Sequence, residues 1–257
     1  MSLRYLTSQL AKQIDEELMS TAGAFSLDQL MELAGLACAQ TLAKVYPKKH
    51  YPRVLVCCGP GNQGGDGLVA TRHLKQFGYN PTLFMPKPGN KDIYKRLQKQ
   101  CTNMSIPTIS NGNSSENITA LKDALKSTDV ILDAIFGFSF SPPLRAPFDA
   151  ILPVLADSGL PIVSVDIPSG WDVEDGRVPI IIEDADGKET TFLGLTPEVL
   201  ISLTAPKLGV KDFKEKHFLG GRFINKELER KFELNLPEYP GYEQIVELPP
   251  ISGGQKL

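Results

Sequence analysis

Three polar segments, each following a run of apolar residues, carry the residue types in this chain that could do chemistry. They are 59–67 (GPGNQGGDG), 133–143 (DAIFGFSFSPP) and 166–172 (DIPSGWD). Asp133 lies near the end of one apolar run and Asp166 directly follows another. Because a buried carboxylate without a partner is costly, each is expected to meet a cation or hydrogen-bond donors. The two acids therefore predict acid–base or cation-binding chemistry beside a glycine-rich loop.

The glycine-rich segment contains the pattern G-x-G-x-x-G at Gly59, Gly61 and Gly64, between a predicted strand and a predicted helix. That context is typical of dinucleotide binding, because a helix N-terminus offers free N–H groups to a phosphate. We expect the missing side chains of Gly64 and Gly65 to let the backbone approach a pyrophosphate or a ribose. The alternative is a tight strand-to-helix turn that binds nothing.

Two common nucleotide-binding classes fit the segment poorly. No Gly-Lys-Ser/Thr follows the glycines, which excludes a P-loop. The usual NAD site places an acid on the ribose at the end of the second strand, but that strand ends here in 84–88 (FMPKP). An ordinary Rossmann oxidoreductase is therefore disfavoured.

The elements that position these segments alternate between strands and helices. The continuous apolar run 53–58 is typical of a parallel strand buried on both faces. The alternation predicts an α/β, Rossmann-like fold: a mainly parallel sheet with helices on both faces. Small residues at 34–39 in the second helix would allow close packing against another helix or a second subunit. Further strands are predicted at 81–85, 106–109, 129–135, 161–166, 199–204 and 222–224.

The chain is interpreted as one domain over 1–257. Its core spans about 5–225, and 226–257 form a C-terminal tail that either wraps the surface or lacks order. Residues 172–197 are acidic and irregular in pattern. Since ligands of open parallel sheets bind outside the carboxyl ends of the strands, the three polar segments should meet at one edge.

Composition excludes several function classes. The 257 residues are 42% hydrophobic with a net charge of −3, which excludes a fibrous or wholly disordered chain and gives no electrostatic footprint for nucleic acid. No apolar run approaches the roughly 20 residues needed to span a bilayer, and we expect no membrane partner. Four cysteines without zinc-ligand spacing indicate reduced, buried thiols. The predicted location is the cytoplasm, with a mitochondrial fraction left open.

Five segments together resemble the NAD(P)H-hydrate epimerases, the YjeF N-terminal domain family. The resemblance covers about residues 5–225, and it implies a Rossmann-like homodimer with one bound potassium ion per subunit. It also implies a repair reaction, the interconversion of the R and S forms of hydrated NADH and NADPH, with a separate S-specific dehydratase completing the repair. The segments are LMELAG (30–35), GPGNQGGDG (59–67), VILDAIFGFSF (130–140), VDIPSGWD (165–172) and LTAPK (203–207).

The resemblance also assigns site residues. Gln63, Asp133 and Ser169 resemble the potassium ligands, an oxygen set that suits a hard cation. Gln63 departs from the family, which commonly has Asn there, and Pro142 and Pro143 replace commoner polar residues. The expected substrate contacts are Asn62, Gln63, Gly64, Gly65, Asp66, Gly137, Phe138, Ser139, Phe140, Ser141, Pro142, Pro143 and Asp166.

The implied reaction needs a positioned acid and base. The hydrated nicotinamide carries a hydroxyl beside the ring nitrogen, and protonation of this hydroxyl lets the nitrogen expel it. Water can then add to the other face, and reversible ring opening would give the same epimers. Asp166 is the first choice for the acid/base, because Asp133 is expected to be engaged by the cation. Lys207 is either a helper near the ligand or a solvated lysine. The alternative function is a non-catalytic nucleotide- or RNA-associated scaffold of the same fold.

Overall fold

The computed structural model describes residues 2–110, 114–183 and 189–250. Its centre is an eight-stranded sheet in the order β10-β9-β8-β5-β4-β1-β2-β3, parallel except for the pair of β9 and β10. The remaining strands, β6 and β7, form a separate antiparallel pair. The strands are β1 (Arg53–Cys58), β2 (Asn80–Met85), β3 (Thr108–Ser110), β4 (Val130–Ala134), β5 (Ile162–Val165), β6 (Ile180–Glu183), β7 (Glu189–Phe192), β8 (Val199–Leu203), β9 (Lys216–Gly220) and β10 (Ile245–Glu247).

Helices cover both faces of the sheet, as the alternating pattern predicted. Alternate residues of β1 point to opposite apolar clusters, one built with α2, α3 and α4 and the other with α5 and α6. The segment β3-β2-β1-β4-β5 follows the strand order of doubly wound nucleotide-binding folds, which confirms the predicted fold class. The helices are α1 (Ser8–Leu18), α2 (Leu27–Val45), α3 (Asn62–Gln76), α4 (Asp92–Asn103), α5 (Ser114–Leu125), α6 (Phe148–Ala156) and α7 (Lys226–Lys231).

Small residues bring α2 close to α3. A Cβ atom on Gly35 would lie 2.4 Å from the Cβ of Val69, so α3 approaches α2 at a distance that only glycine allows. Ser26 and Gln29 form the capping box that begins α2. The predicted close packing of this helix against another helix is confirmed. The packing fixes the start of α3, which carries the second half of the glycine-rich segment.

The late part of the chain differs from the sequence-based prediction. The predicted strand at 222–224 is wrong: the strand is β9, which ends at Gly220, and Gly221 then turns the chain with a φ of +80°. The hairpin of β6 and β7 occupies the segment of irregular pattern. Residues 226–250 supply α7 and β10, which extends the main sheet; residues 251–257 of the predicted tail lie outside the described residues.

None of the described helices is long and apolar enough to cross a membrane.

Candidate active site

A cavity of about 870 Å³ opens at the carboxyl edge of the parallel strands. Its walls come from the residues that follow each central strand, and α1 and α2 close one side. The sheet therefore gathers the three polar segments at one place, as predicted. The strand-end residues that line the cavity are Pro60, Gly61, Asn62, Gln63 and Asp66 after β1; Lys87, Asn90 and Lys91 after β2; Ile135–Ser141, Pro143, Arg145, Ala146 and Phe148 after β4; Asp166 after β5; and Leu203, Thr204 and Lys207 at β8.

Three of the expected substrate contacts do not line this cavity: Gly64, Gly65 and Pro142. A Cβ atom on Gly64 would lie 1.9 Å from the carbonyl oxygen of Gly59, and one on Gly65 would lie 2.4 Å from Sδ of Met31. The space beside these two glycines is therefore filled by the protein itself, and an approach of their backbone to a ligand stays a prediction. Gly61 is the open position, because a Cβ atom there would meet nothing within 4 Å.

Asp166 is paired with Lys207 at the floor of the cavity. Lys207 Nζ donates to Asp166 Oδ1 at 2.5 Å, and the backbone N–H of Leu203 donates to the same oxygen at 3.2 Å. Both charged side chains are only 3% exposed. Lys207 is thus not the solvated lysine of the alternative interpretation, and Asp166 meets a cation and a hydrogen-bond donor, as expected of a buried carboxylate.

The second oxygen of Asp166 is available for a ligand. Oδ2 receives no hydrogen bond from any residue that the structure describes, although the residue lines the cavity. Asp166 also has a φ of +63°, in the left-handed region that non-glycine residues seldom adopt. Strained backbone of this kind persists where the surroundings hold a side chain in a required direction, and it is frequent at active sites.

Besides the exposed Glu16, two further carboxyl groups line the same cavity, Asp66 on α3 and Asp15 on α1. Asp66 is nine-tenths buried, and no described residue forms a hydrogen bond with its carboxyl group. Burial, followed by the charges of Asp166 and Asp15, raises the pKa of Asp66 well above its usual range. Burial also raises the pKa of Asp15 to about 6, with Lys207 opposing the shift and Asp166 adding to it. Carboxyl groups in this state can exchange protons near neutral pH.

Sequence reasoning identified Asp66 but missed Asp15. Asp15 lies on the first helix, more than 40 residues before the glycine-rich segment, and no polar motif surrounds it. In the sequence, the only feature that could have pointed to Asp15 was its position next to Ile14, which lies on the buried apolar face of α1. An acid beside a buried helix stripe can be noticed in a sequence, but which cavity that helix covers is decided by tertiary packing.

Asp133 and Ser169 are joined in the interior beside the cavity. Ser169 donates to Asp133 twice, from Oγ at 2.6 Å and from its backbone N–H at 2.9 Å, and Ser164 Oγ donates at 2.8 Å. Asp133 is fully buried; burial raises its pKa and these hydrogen bonds oppose the shift. Gln63 donates from its amide nitrogen to the backbone carbonyl of Val165.

The chemistry of this donor set fits a hard monovalent cation. Carboxylate, hydroxyl and amide oxygens are the ligands that such ions prefer, and no lysine or arginine among the described residues pairs with Asp133. In the described ranges, no group of three or more His, Cys, Asp and Glu residues could hold a metal ion. Asp133 and Ser169 are hydrogen-bonded to each other. Gln63 lies next to them because its side chain donates to the carbonyl oxygen of Val165, the last residue of β5.

The loop after β4 forms an aromatic wall. The rings of Phe136 and Phe140 stack at 4.6 Å between centroids, and Phe148 packs edge-on against Phe136 at 5.0 Å. Ser8 Oγ donates to the carbonyl oxygen of Phe138 at 2.9 Å, which ties this loop to the first helix. Lys207 Nζ lies 5.5 Å from the centroid of the Phe138 ring. A planar ring with a polar edge would therefore find both an apolar surface and charged partners here.

The opposite side of the cavity is built from the start of α3. Gly61 precedes this helix without a side-chain capping bond, so the first N–H groups of α3 remain available. Tyr94 donates to Asn62 Oδ1 at 2.6 Å and holds that side chain at the cavity.

Fold and site together define a Rossmann-like α/β protein with a ligand cavity at the strand ends and a carboxylate–lysine pair at its floor.

The chain belongs to the family described as YjeF-related protein N-terminus, whose model matches residues 27–209. It is 58% identical to a relative from Cryptococcus neoformans named NAD(P)H-hydrate epimerase, over 97% of this chain and 99% of that protein. A relative of the same name from Schizosaccharomyces pombe is 47% identical over 96% of this chain and 97% of that protein. The crystal structure of yeast ynu0, YNL200c, superposes with a TM-score of 0.83 at 39% identity, covering 96% of this chain and 100% of that one.

Proposed function

We propose that this chain is an isomerase that interconverts the R and S epimers of hydrated NADH and NADPH. Its relatives named NAD(P)H-hydrate epimerase match it over nearly the full length of both chains. The observation that carries the proposal is the buried pair of Asp166 and Lys207, in a cavity with an aromatic wall, where Oδ2 of Asp166 accepts no hydrogen bond from a described residue. No observation favours the scaffold alternative, since the residues of the site are intact.

The nicotinamide end of the substrate is proposed to lie between the aromatic wall and Asp166. The hydrated ring is partly apolar, and Phe138 and Phe140 supply apolar surface next to the charged pair. The diphosphate faces the start of α3, where N–H groups are available. Gly64, Gly65 and Pro142 do not line the cavity and are left out of the proposed contacts. The proposed contacts are Asn62, Gln63, Asp66, Gly137, Phe138, Ser139, Phe140, Ser141, Pro143 and Asp166.

Asp166 is proposed to exchange the proton that the reaction needs. Lys207 holds Asp166 through Oδ1, which leaves Oδ2 as the atom that would pass a proton to the substrate hydroxyl and recover it afterwards. As the C–O bond breaks, the lone pair of the ring nitrogen forms a C=N bond and water leaves. Water then adds to the other face of the cationic ring and returns one proton, so that protons balance. Ring opening and reclosure uses the same proton transfers.

Asp66 and Asp15 extend this proton-exchange system. Both line the cavity, and burial raises the pKa of each, to about 6 for Asp15, which moves their proton exchange toward neutral pH. Asp66 has no hydrogen-bond partner among the described residues, which leaves its carboxyl group free to meet the substrate. General acid–base groups of this kind typically contribute about 10²–10⁴-fold to a rate.

Potassium, subunit state, cellular location and the coupled enzyme belong to the same proposal. Gln63, Asp133 and Ser169 would hold one potassium ion, which supplies positive charge next to the buried Asp133 carboxylate. The active form is a homodimer in the cytoplasm, with a mitochondrial fraction left open. A separate S-specific dehydratase would consume the S epimer.

The test uses one chromatographically pure epimer of hydrated NADPH. The purified chain is expected to convert either epimer into the same mixture at a rate well above that of a protein-free sample. If a folded chain leaves the epimer unchanged beyond that background, the proposed function is wrong.

A further inference from the structure

We propose that Lys87 and Lys91 bind the 2′-phosphate of hydrated NADPH and thereby make the chain favour the phosphorylated substrate. This inference rests on the proposed function, and it names the part of the cavity that distinguishes NADPH from NADH. Both lysines line the cavity, and both belong to the segment between β2 and α4.

Strand order places this segment at the far end of the cavity from Asp166. Asp166 follows β5, the aromatic wall follows β4, the glycine-rich loop follows β1, and the two lysines follow β2. Adjacent strands lie about 4.8 Å apart, so about 14 Å separates the ends of β5 and β2. A dinucleotide with its nicotinamide at Asp166 and its diphosphate over the start of α3 therefore extends its adenosine ribose toward β2.

In doubly wound folds with this strand order, the end of the second strand is where the adenosine ribose is recognised. An acid there binds the 2′-hydroxyl of NAD, while a basic group accommodates the 2′-phosphate of NADP. Residues 86–91 of this chain read PKPGNK, with two lysines and no acid. The absence of the acid, which argued against an ordinary NAD enzyme, here indicates recognition of a phosphate.

Packing holds this segment against the glycine-rich loop. A Cβ atom on Gly89 would lie 2.4 Å from the carbonyl oxygen of Pro60 and 2.4 Å from the ring of Tyr94. Tyr94 in turn donates to Asn62, and Lys91 Nζ lies 5.8 Å from the centroid of the Tyr94 ring. The base of the segment is thus fixed between the start of α3 and α4, while the lysine side chains are exposed at the cavity rim.

Charge pairing separates these two lysines from the other lysines of the cavity. Lys207 is paired with Asp166, and Lys12 lies 3.7 Å from Glu16. Within the described part of the chain, neither Lys87 nor Lys91 has a carboxylate at ion-pair distance. Two unpaired ammonium groups match the charge of a phosphate monoester, about −1.5 to −2 at neutral pH.

Arg145 provides a matched control. It also lines the cavity and is exposed, and it has no ion pair among the described residues. However, it follows β4 rather than β2, so it belongs to the other side of the glycine-rich loop. A general electrostatic effect would follow the loss of any of these cations, whereas recognition of the 2′-phosphate should depend on Lys87 and Lys91 alone.

The experiment measures kcat/KM for hydrated NADPH and hydrated NADH with the wild-type chain, Lys87→Gln/Lys91→Gln and Arg145→Gln. The double variant is expected to lose about tenfold or more with hydrated NADPH, the effect of losing charge-assisted hydrogen bonds, and to keep its rate with hydrated NADH. Arg145→Gln should leave the ratio of the two values unchanged. An equal loss with both substrates, or an unchanged ratio in the double variant, would overturn the inference.

Calorimetry with adenosine 2′-monophosphate and adenosine keeps this test independent of catalysis. The wild-type chain is expected to bind the phosphorylated nucleoside more tightly, and the double variant should lose that difference. If the wild-type chain does not epimerise either substrate, the proposed function fails, and this binding difference still decides whether the phosphate site exists. No difference in the wild-type chain would contradict the site.

Discussion

Lys207 Nζ lies 2.5 Å from Asp166 Oδ1 in a buried ion pair whose side chains are each 3% exposed. Asp166 follows β5 and Lys207 follows β8, and these two strands are neighbours in the sheet. The pair therefore joins two strand ends at the floor of the cavity. It leaves Oδ2 of Asp166 as the atom that faces a ligand without another partner in the described residues.

Removing the lysine should destabilise the fold. Lys207→Met leaves Asp166 as a buried charge without its cationic partner, and breaking a buried pair in this way typically costs about 3–5 kcal/mol. Denaturant unfolding measures the change. Lys12→Met is the matched control, because Lys12 also lines the cavity but its side chain is 70% exposed. If Lys207→Met and the wild-type chain had equal free energies of unfolding, the ion pair would not stabilise the fold.

Stability should depend on Asp15 between about pH 4 and pH 6. The pKa of Asp15 is raised from 3.8 to about 6 in the folded chain, so the folded state binds the proton more tightly than the unfolded state. This contribution is fully present below pH 4 and is lost as the pH rises through 6. Asp15→Asn should therefore gain stability over the wild-type chain on going from pH 4 to pH 7.

Urea unfolding at pH 4, 5, 6 and 7 checks the Asp15 prediction. Asp166 and Lys207 face Asp15, and the charge of Asp15 raises the pKa of Asp66, so the difference between the two pH profiles reports Asp15 together with its effect on Asp66. Glu16→Gln is the control on the same helix, since Glu16 also lines the cavity but its side chain is 63% exposed. Parallel profiles for Asp15→Asn and the wild-type chain would contradict the shifted pKa.

Two glycines of the glycine-rich loop should respond in opposite ways to an added side chain. Gly61→Val has open space, so it should fold normally while its side chain enters the cavity and blocks hydrated NADPH. Gly64→Ala should unfold more easily, because its Cβ atom would lie 1.9 Å from the Gly59 carbonyl oxygen. Thermal unfolding and calorimetric binding measure the two effects. Normal binding by a folded Gly61→Val would move the ligand away from this loop.

The cation prediction concerns Asp133. Crystals grown with a potassium salt should show anomalous scattering from an ion held by oxygens of Gln63, Asp133 and Ser169. Asp133→Asn keeps the shape of the side chain but removes its charge, so it should abolish this peak. Asp157→Asn, an exposed acid after α6, is the control and should retain it. A wild-type crystal in potassium salt without the peak would rule out the assignment.

Local patterns predicted the parallel core and much of the site. The apolar run before Asp166 and the glycines after β1 specify strands and their carboxyl ends, so the meeting of Asp133 with Ser169 and of the three segments at one cavity could be anticipated. The pairing of Asp166 with Lys207 could not, since it depends on β8 lying next to β5.

Long-range packing explains what sequence reasoning missed. Asp15 enters the cavity because α1 covers it, and no short pattern reports that placement. The predicted approach of the loop glycines to a ligand rests on their missing side chains, and the atoms of Gly59 and Met31 that fill the space beside them could not be predicted from the sequence. The strand β10 pairs antiparallel at the sheet edge and is only three residues long, too short to give a periodic signal.

The most direct test follows one pure epimer of hydrated NADPH by chromatography, with the wild-type chain, Asp166→Asn and no protein in parallel. Asn preserves the shape of Asp166 but cannot exchange the proton. We expect the wild-type chain to form the other epimer rapidly and Asp166→Asn to lose about 10²-fold or more in rate, with calorimetry showing that this variant still binds hydrated NADPH. A wild-type rate equal to the protein-free rate, or a folded Asp166→Asn with the wild-type rate, would contradict it.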